Sequence, residues 1–128
     1  MRCLRSIVSM VLAAGGLGGC GQTGGPMTAA ELAVQLREGT APVVLDARSA
    51  GEYARDRVPG ARHVGVFGAG QRAAALGIAR DAPLVVYCEH GPRALVARAA
   101  LHAAGYRRVQ LLEGHMARWR ASGFPVER

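Results

Sequence analysis

The sequence predicts a single α/β domain with a central, mostly parallel sheet and helices on both faces. Three observations carry this. Short continuous apolar runs alternate with segments of helical spacing, Gly and Pro punctuate the junctions, and the 128 residues, 50% of them hydrophobic, suffice for one core but not two. Alternating strands and helices are the pattern of parallel strands joined by helical crossovers. No internal repeat is visible.

The elements follow in order. Thr28-Ala29-Ala30-Glu31 has the form of a capping box, in which the Thr hydroxyl and the Glu carboxylate satisfy free backbone N–H groups at a helix start. Leu32 and Leu36 then recur at helical spacing until Gly39, predicting a helix over 29–38. Val43-Val44-Leu45, ending in Asp46, is the apolar run of a strand covered on both faces. Ser49-Ala50-Gly51-Glu52 is a second capping box and opens a short helix to Arg55. Val58-Pro59-Gly60-Ala61 reads as a turn, and His63-Val64-Gly65-Val66 as a brief strand. A helix over 71–79, interrupted by Gly77, precedes the strand Leu84-Val85-Val86-Tyr87. An Ala-rich helix over 94–104 ends at Gly105, Val109 to Leu112 form the next strand, and Met116 to Ala121 a short final helix.

The formal charge of +7 comes from sixteen Arg and no Lys; Asn is also absent, as AT-poor coding would produce. The arginines are scattered, without a run of five or interleaved aromatics, so nucleic-acid binding is not expected. Dispersed histidines and a single Cys in the domain give no metal-ligand spacing. No nucleotide loop appears, and neither metal nor cofactor is expected.

Ahead of the domain, Arg2 and Arg5 precede an apolar stretch from Ile7 to Leu17, the layout of a signal peptide over 1–19. The stretch falls well short of the roughly 20 residues that span a bilayer. Its end, Leu17-Gly18-Gly19-Cys20, resembles the lipobox of bacterial lipoproteins, which implies lipidation of Cys20 and a protein anchored to the outer face of a bacterial membrane. Residues 20–27 would then be a Gly-rich tether and 28–128 the domain. In the mature chain Cys88 would have no disulfide partner, and a lone thiol in an oxidising compartment usually has a reason.

The chemistry centres on Cys88-Glu89-His90-Gly91-Pro92-Arg93, between a buried strand and a helix. Ligands of open parallel sheets bind where strands end and helices begin. A tight strand-to-helix turn points successive N–H groups inward and adds the positive end of a helix dipole, which together favour an anion. Gly91 allows that turn, and Pro92 fits a first helical position. Arg93 and His90 add charge near the thiol, so Cys88 is expected as a thiolate nucleophile. A free Cys at a strand end is most often a small core residue. The flanking polar and Gly-Pro residues, however, continue a core poorly and form an anion loop well.

Four ordered motifs then resemble single-domain rhodaneses across residues 28–128: Val44-Leu45-Asp46-Ala47-Arg48 with Glu52-Tyr53, Val58-Pro59-Gly60-Ala61, Val86-Tyr87-Cys88 with its loop, and Leu112-Glu113-Gly114 with Trp119. The resemblance implies a rhodanese-like α/β fold and a sulfurtransferase. Cys88 would take a sulfane sulfur from thiosulfate or a related anionic donor, hold it as a persulfide against N–H groups of Glu89 to Arg93, and pass it on. The acceptor would be a thiol or cyanide, or a thioredoxin-like protein. Arg93 would hold the donor's anionic end, with Asp46, Arg48 and Glu52 as ordering residues. Arg48 and Glu52 are also spaced for an ordinary i,i+4 ion pair. A monomer is expected.

Three departures from the family pattern stand out. Arg57 precedes Val58-Pro59-Gly60-Ala61 where a His is usual. His115 stands at the usual second Gly after Glu113-Gly114 and is expected to cap the final helix rather than line the pocket. Pro92 withholds one N–H from the loop. Two rival readings fit less well, and a third overlaps the main one. A phosphatase or arsenate reductase of this fold needs one more residue between Cys and Arg, whereas four separate Cys88 from Arg93 and the next position is Ala94. A non-catalytic binding module would not need Cys88. A protein sulfur carrier differs only in its second half-reaction.

Overall fold

The computed structural model describes residues 25–128. The expected export segment, Cys20 and the tether up to Gly24 lie outside the described residues. In chain order the elements are α1 (Ala29–Glu38), β1 (Val43–Asp46), α2 (Ala50–Arg55), β2 (Arg62–His63), α3 (Ala69–Ala75), β3 (Leu84–Tyr87), α4 (Pro92–Ala103), β4 (Val109–Leu111) and α5 (His115–Ala121).

The four strands form one parallel sheet in the order β2-β1-β3-β4, the α/β architecture expected. Strand side chains alternate between faces, and two cores result. Leu45 and Val86 pack with Ala73, Ala97 and Leu101 on one face. Val44, Val85 and Tyr87 pack with Leu32, Met116 and Trp119 on the other. Both faces are therefore covered, by α3 and α4 on one side and by α1 and α5 on the other. Every residue of β3 is buried, which explains its unbroken apolar run.

Both capping boxes form, Thr28 with Glu31 and Ser49 with Glu52, so the two helix starts are fixed by neighbours in sequence. Boundaries differ from expectation where glycine or proline acts. The third helix ends at Ala75 because Gly77 turns left-handed at φ 76°. Strand β2 is displaced to Arg62–His63 because Gly65, at φ 70°, turns the chain away. Helix α4 begins at Pro92, two residues earlier than expected, since Pro suits a first helical position. Met27 is buried and bridges to Leu112, so the packed domain includes the last position assigned to the tether.

Two features place the site. In the register of β1 with β3, Asp46 stands opposite Tyr87. The loops that follow these residues, 47–49 and 88–91, therefore leave the same edge of the sheet side by side. The second feature is the close approach of α3 and α4 at Gly70, where a Cβ would stand 2.5 Å from that of Ala104.

Candidate active site

Cys88 is the first residue after β3 and is buried. Gly91, at φ 133° and ψ −46°, adopts a backbone that L residues rarely reach, and this bend turns the loop back over the thiol. The Gly91 N–H donates to Cys88 Sγ at 3.0 Å. Burial pushes the thiol up, but the neighbouring His115 side chain and the Ala94 and Gly91 N–H groups outweigh it. They hold the thiol at about 7, below its ordinary 9.0.

The source of that activation differs from the expectation. His90 is exposed, and His115 takes the place assigned to it. The ring of His115 is buried in the site, and its Nδ1 accepts the Cys88 N–H at 3.2 Å. His115 is the first residue of α5, whose N-cap is Gly114 and which has no side-chain cap, so the expected capping role is not what the ring does. The free N–H groups at the start of α5 are satisfied instead by the loop itself: Met116 N–H donates to the Cys88 carbonyl at 3.0 Å and Ala117 N–H to the Glu89 carbonyl at 3.2 Å.

The ion pairs also differ. Arg48 does not pair with Glu52. The Arg48 side chain is buried and binds Asp46 through Nη2 at 2.8 Å and Nε at 3.2 Å, and its backbone N–H donates to Asp46 at 2.8 Å. Tyr87 donates its hydroxyl to the same carboxylate at 2.7 Å and accepts the Val58 N–H at 3.1 Å. Burial and the adjacent Asp46 charge keep that phenol protonated, raising it from its ordinary value. Glu52 instead meets Arg93 through both carboxylate oxygens, at 2.6 and 3.1 Å. The Arg93 guanidinium, with help from Ser49, holds Glu52 at about 2.

A second layer of charge reaches the Cys88 loop from below. Arg48 extends to the Asp56 carbonyl at 2.5 Å and lies 3.7 Å from Glu89. Arg120 of α5 binds both Asp56, at 2.7 and 3.0 Å, and Glu89. Glu89, the residue after the thiol, is thus clamped by arginines from two distant segments. Asp56, Tyr87, Arg120 and His115 are the members that sequence reasoning missed as part of this cluster. Only His115 carried a signal, by standing where the family pattern has Gly.

The arrangement brings Cys88, Gly91, Arg93 and Glu52 together and keeps Asp46 and Arg48 behind them. A concavity lined by Pro42, Pro83, Arg98, His102 and Arg108 lies at the opposite, N-terminal edge of the strands. At the C-terminal edge, where ligands of open parallel sheets bind, a thiol held at about 7 meets convergent N–H groups.

Residues 28–122 match the Rhodanese-like domain family. The chain is 35% identical over 99 residues to the thiosulfate sulfurtransferase GlpE of Pseudomonas putida, covering 76% of this chain and 86% of that protein. The GlpE of Pseudomonas paraeruginosa is 39% identical over 99 residues, covering 77% and 86%. Among solved structures, the rhodanese-like domain of an Anabaena protein superposes with a TM-score of 0.73 at 26% identity, covering 80% of this chain and 77% of that one.

Proposed function

The chain belongs to the rhodanese-like domain family, and on that premise we propose that it is a sulfurtransferase working through a persulfide on Cys88. The Cys88 thiolate attacks the outer sulfur of thiosulfate or a related anionic donor. A new S–S bond forms, the donor's S–S bond breaks, and sulfite leaves with the electron pair. A thiol or cyanide then takes the outer sulfur and regenerates the thiolate.

The observation that carries this reading is the Gly91 N–H at 3.0 Å from a buried sulfur that burial alone would keep neutral. Convergent N–H donors stabilise an anionic sulfur before and after transfer, because the charge only moves outward by one atom. The short loop matches that small cargo. Arg93 supports the donor's binding: Glu52 engages two of its nitrogens, and a guanidinium has about five N–H donors in all. An exported, lipid-anchored location is supported by the N-terminal pattern. Labelled palmitate incorporated equally by wild type and Cys20→Ala would rule out an anchor at Cys20.

The test of the activity is to incubate the protein with thiosulfate and weigh it. Wild type gains the mass of one sulfur atom, reductant removes it, and Cys88→Ser gains nothing. A wild-type chain that stays unmodified would overturn the reading.

A further inference from the structure

His115 is the one non-glycine residue with a positive φ, 54°, among the described residues. That backbone is strained for an L residue, and here a β-carbon occupies a position where the family pattern has none. A residue kept in such a conformation must return something through its side chain. The ring is buried and lies against the Cys88 loop: a Cβ on Gly91 would stand 3.2 Å from His115 Nε2. The Gly91 N–H itself donates to Sγ.

The hydrogen bonding settles which way the ring is protonated. Nδ1 accepts the Cys88 N–H at 3.2 Å, so it carries no proton, and the ring's N–H is on Nε2, on the side of the loop. The loop lacks one donor at just this turn, because residue 92 is proline. We propose that His115 supplies, through Nε2–H, the hydrogen bond to the anionic sulfur on Cys88 that Pro92 withholds from the backbone cradle.

The ring is a donor and not a base. To take the thiol's proton at Nε2 it would have to carry its own proton on Nδ1, facing the Cys88 N–H. During transfer the Nε2–H therefore stays on nitrogen while negative charge passes from Sγ to the outer persulfide sulfur. This deepens the sulfurtransferase reading and rests on it for the second half of that statement. The first half, stabilisation of the bare thiolate, is testable without any sulfur donor.

The experiment measures alkylation of Cys88 by iodoacetamide across pH, read on the Cys88 peptide by mass spectrometry so that other cysteines do not interfere. His115→Gly, which accepts the backbone without strain, is expected to raise the midpoint by about one pH unit and to cut the thiolate present at pH 7 about fivefold. His115→Gln places an amide N–H where Nε2 was and recovers much of that loss. His115→Asn keeps only an acceptor for the Cys88 N–H and does not. Pro92→Ala, which returns a backbone donor, speeds alkylation at pH 7 more in His115→Gly than in wild type, a coupling a purely structural role would not show. An unmoved midpoint in His115→Gly, rescue by Asn equal to rescue by Gln, or a doubly protonated His115 ring alongside the thiolate in nitrogen NMR would each overturn the proposal. Failure of thiosulfate to load the wild type, with these titrations as expected, would count against the sulfurtransferase reading alone.

Discussion

The sharpest quantitative expectation concerns how Cys88 reactivity changes with pH. With the thiol held at about 7, half of it is thiolate at pH 7, whereas an ordinary thiol at 9.0 would be about 1% ionised. The gain in thiolate is therefore about fiftyfold. A more stable thiolate is also a weaker nucleophile; with a Brønsted slope of about 0.4–0.5, the two-unit difference costs about six- to tenfold in intrinsic rate. The net expectation at pH 7 is an alkylation rate about five- to eightfold above that of an unactivated thiol. The sign reverses in base: above pH 9, where both are ionised, Cys88 should react about six- to tenfold more slowly. Pseudo-first-order alkylation of the Cys88 peptide, compared with free cysteine over pH 5 to about 10, measures both regimes. A midpoint near 9, or a rate that exceeds the free thiol's in strong base, would refute the hydrogen-bond account of the activation.

Other perturbations probe the supporting structure. Asp46→Asn leaves the Arg48 guanidinium buried beside a neutral amide, and a loss of about 3 kcal/mol in a urea titration is expected, with Tyr87→Phe costing less. Gly70→Ala should destabilise by about 2 kcal/mol, because its Cβ would meet the Ala104 side chain and the Ala100 carbonyl; an unchanged melting temperature would contradict that packing. Glu52, held at about 2 when folded against an ordinary 4.5, binds more protons unfolded than folded between those values. Its contribution is present above about 4.5 and is lost as pH falls toward 2. Acid unfolding of Glu52→Gln should accordingly be flatter than wild type through that window, by a modest amount since Arg93 is partly exposed.

Much of the fold is written locally. The capping boxes at Thr28 and Ser49 and the apolar run of β3 each depend on residues a few positions apart, and each forms as its spacing implies. The position of Cys88 at a strand-to-helix turn was legible for the same reason. What the sequence did not show is who faces whom across the turn. Glu52 chooses Arg93, 41 residues away, over Arg48 at helical spacing, because Asp46 claims Arg48 in the interior first. Arg120 and Glu89 meet only because α5 docks against the Cys88 loop. His115 is visible as an oddity, but its placement depends on a left-handed backbone that sets the ring against the Cys88 N–H, and no periodicity encodes that.

The start of α5 is held by the carbonyls of Cys88 and Glu89, while α5 in turn places the His115 ring against the Cys88 N–H. Since a chain emerges from the ribosome N-terminal end first, Cys88 is made well before the segment that carries His115. An unfolded chain carries a thiol of ordinary acidity. The His115 share of the thiol's acidity therefore arrives only when α5 docks on the Cys88 loop, on top of the share that Gly91 and Ala94 supply from beside it.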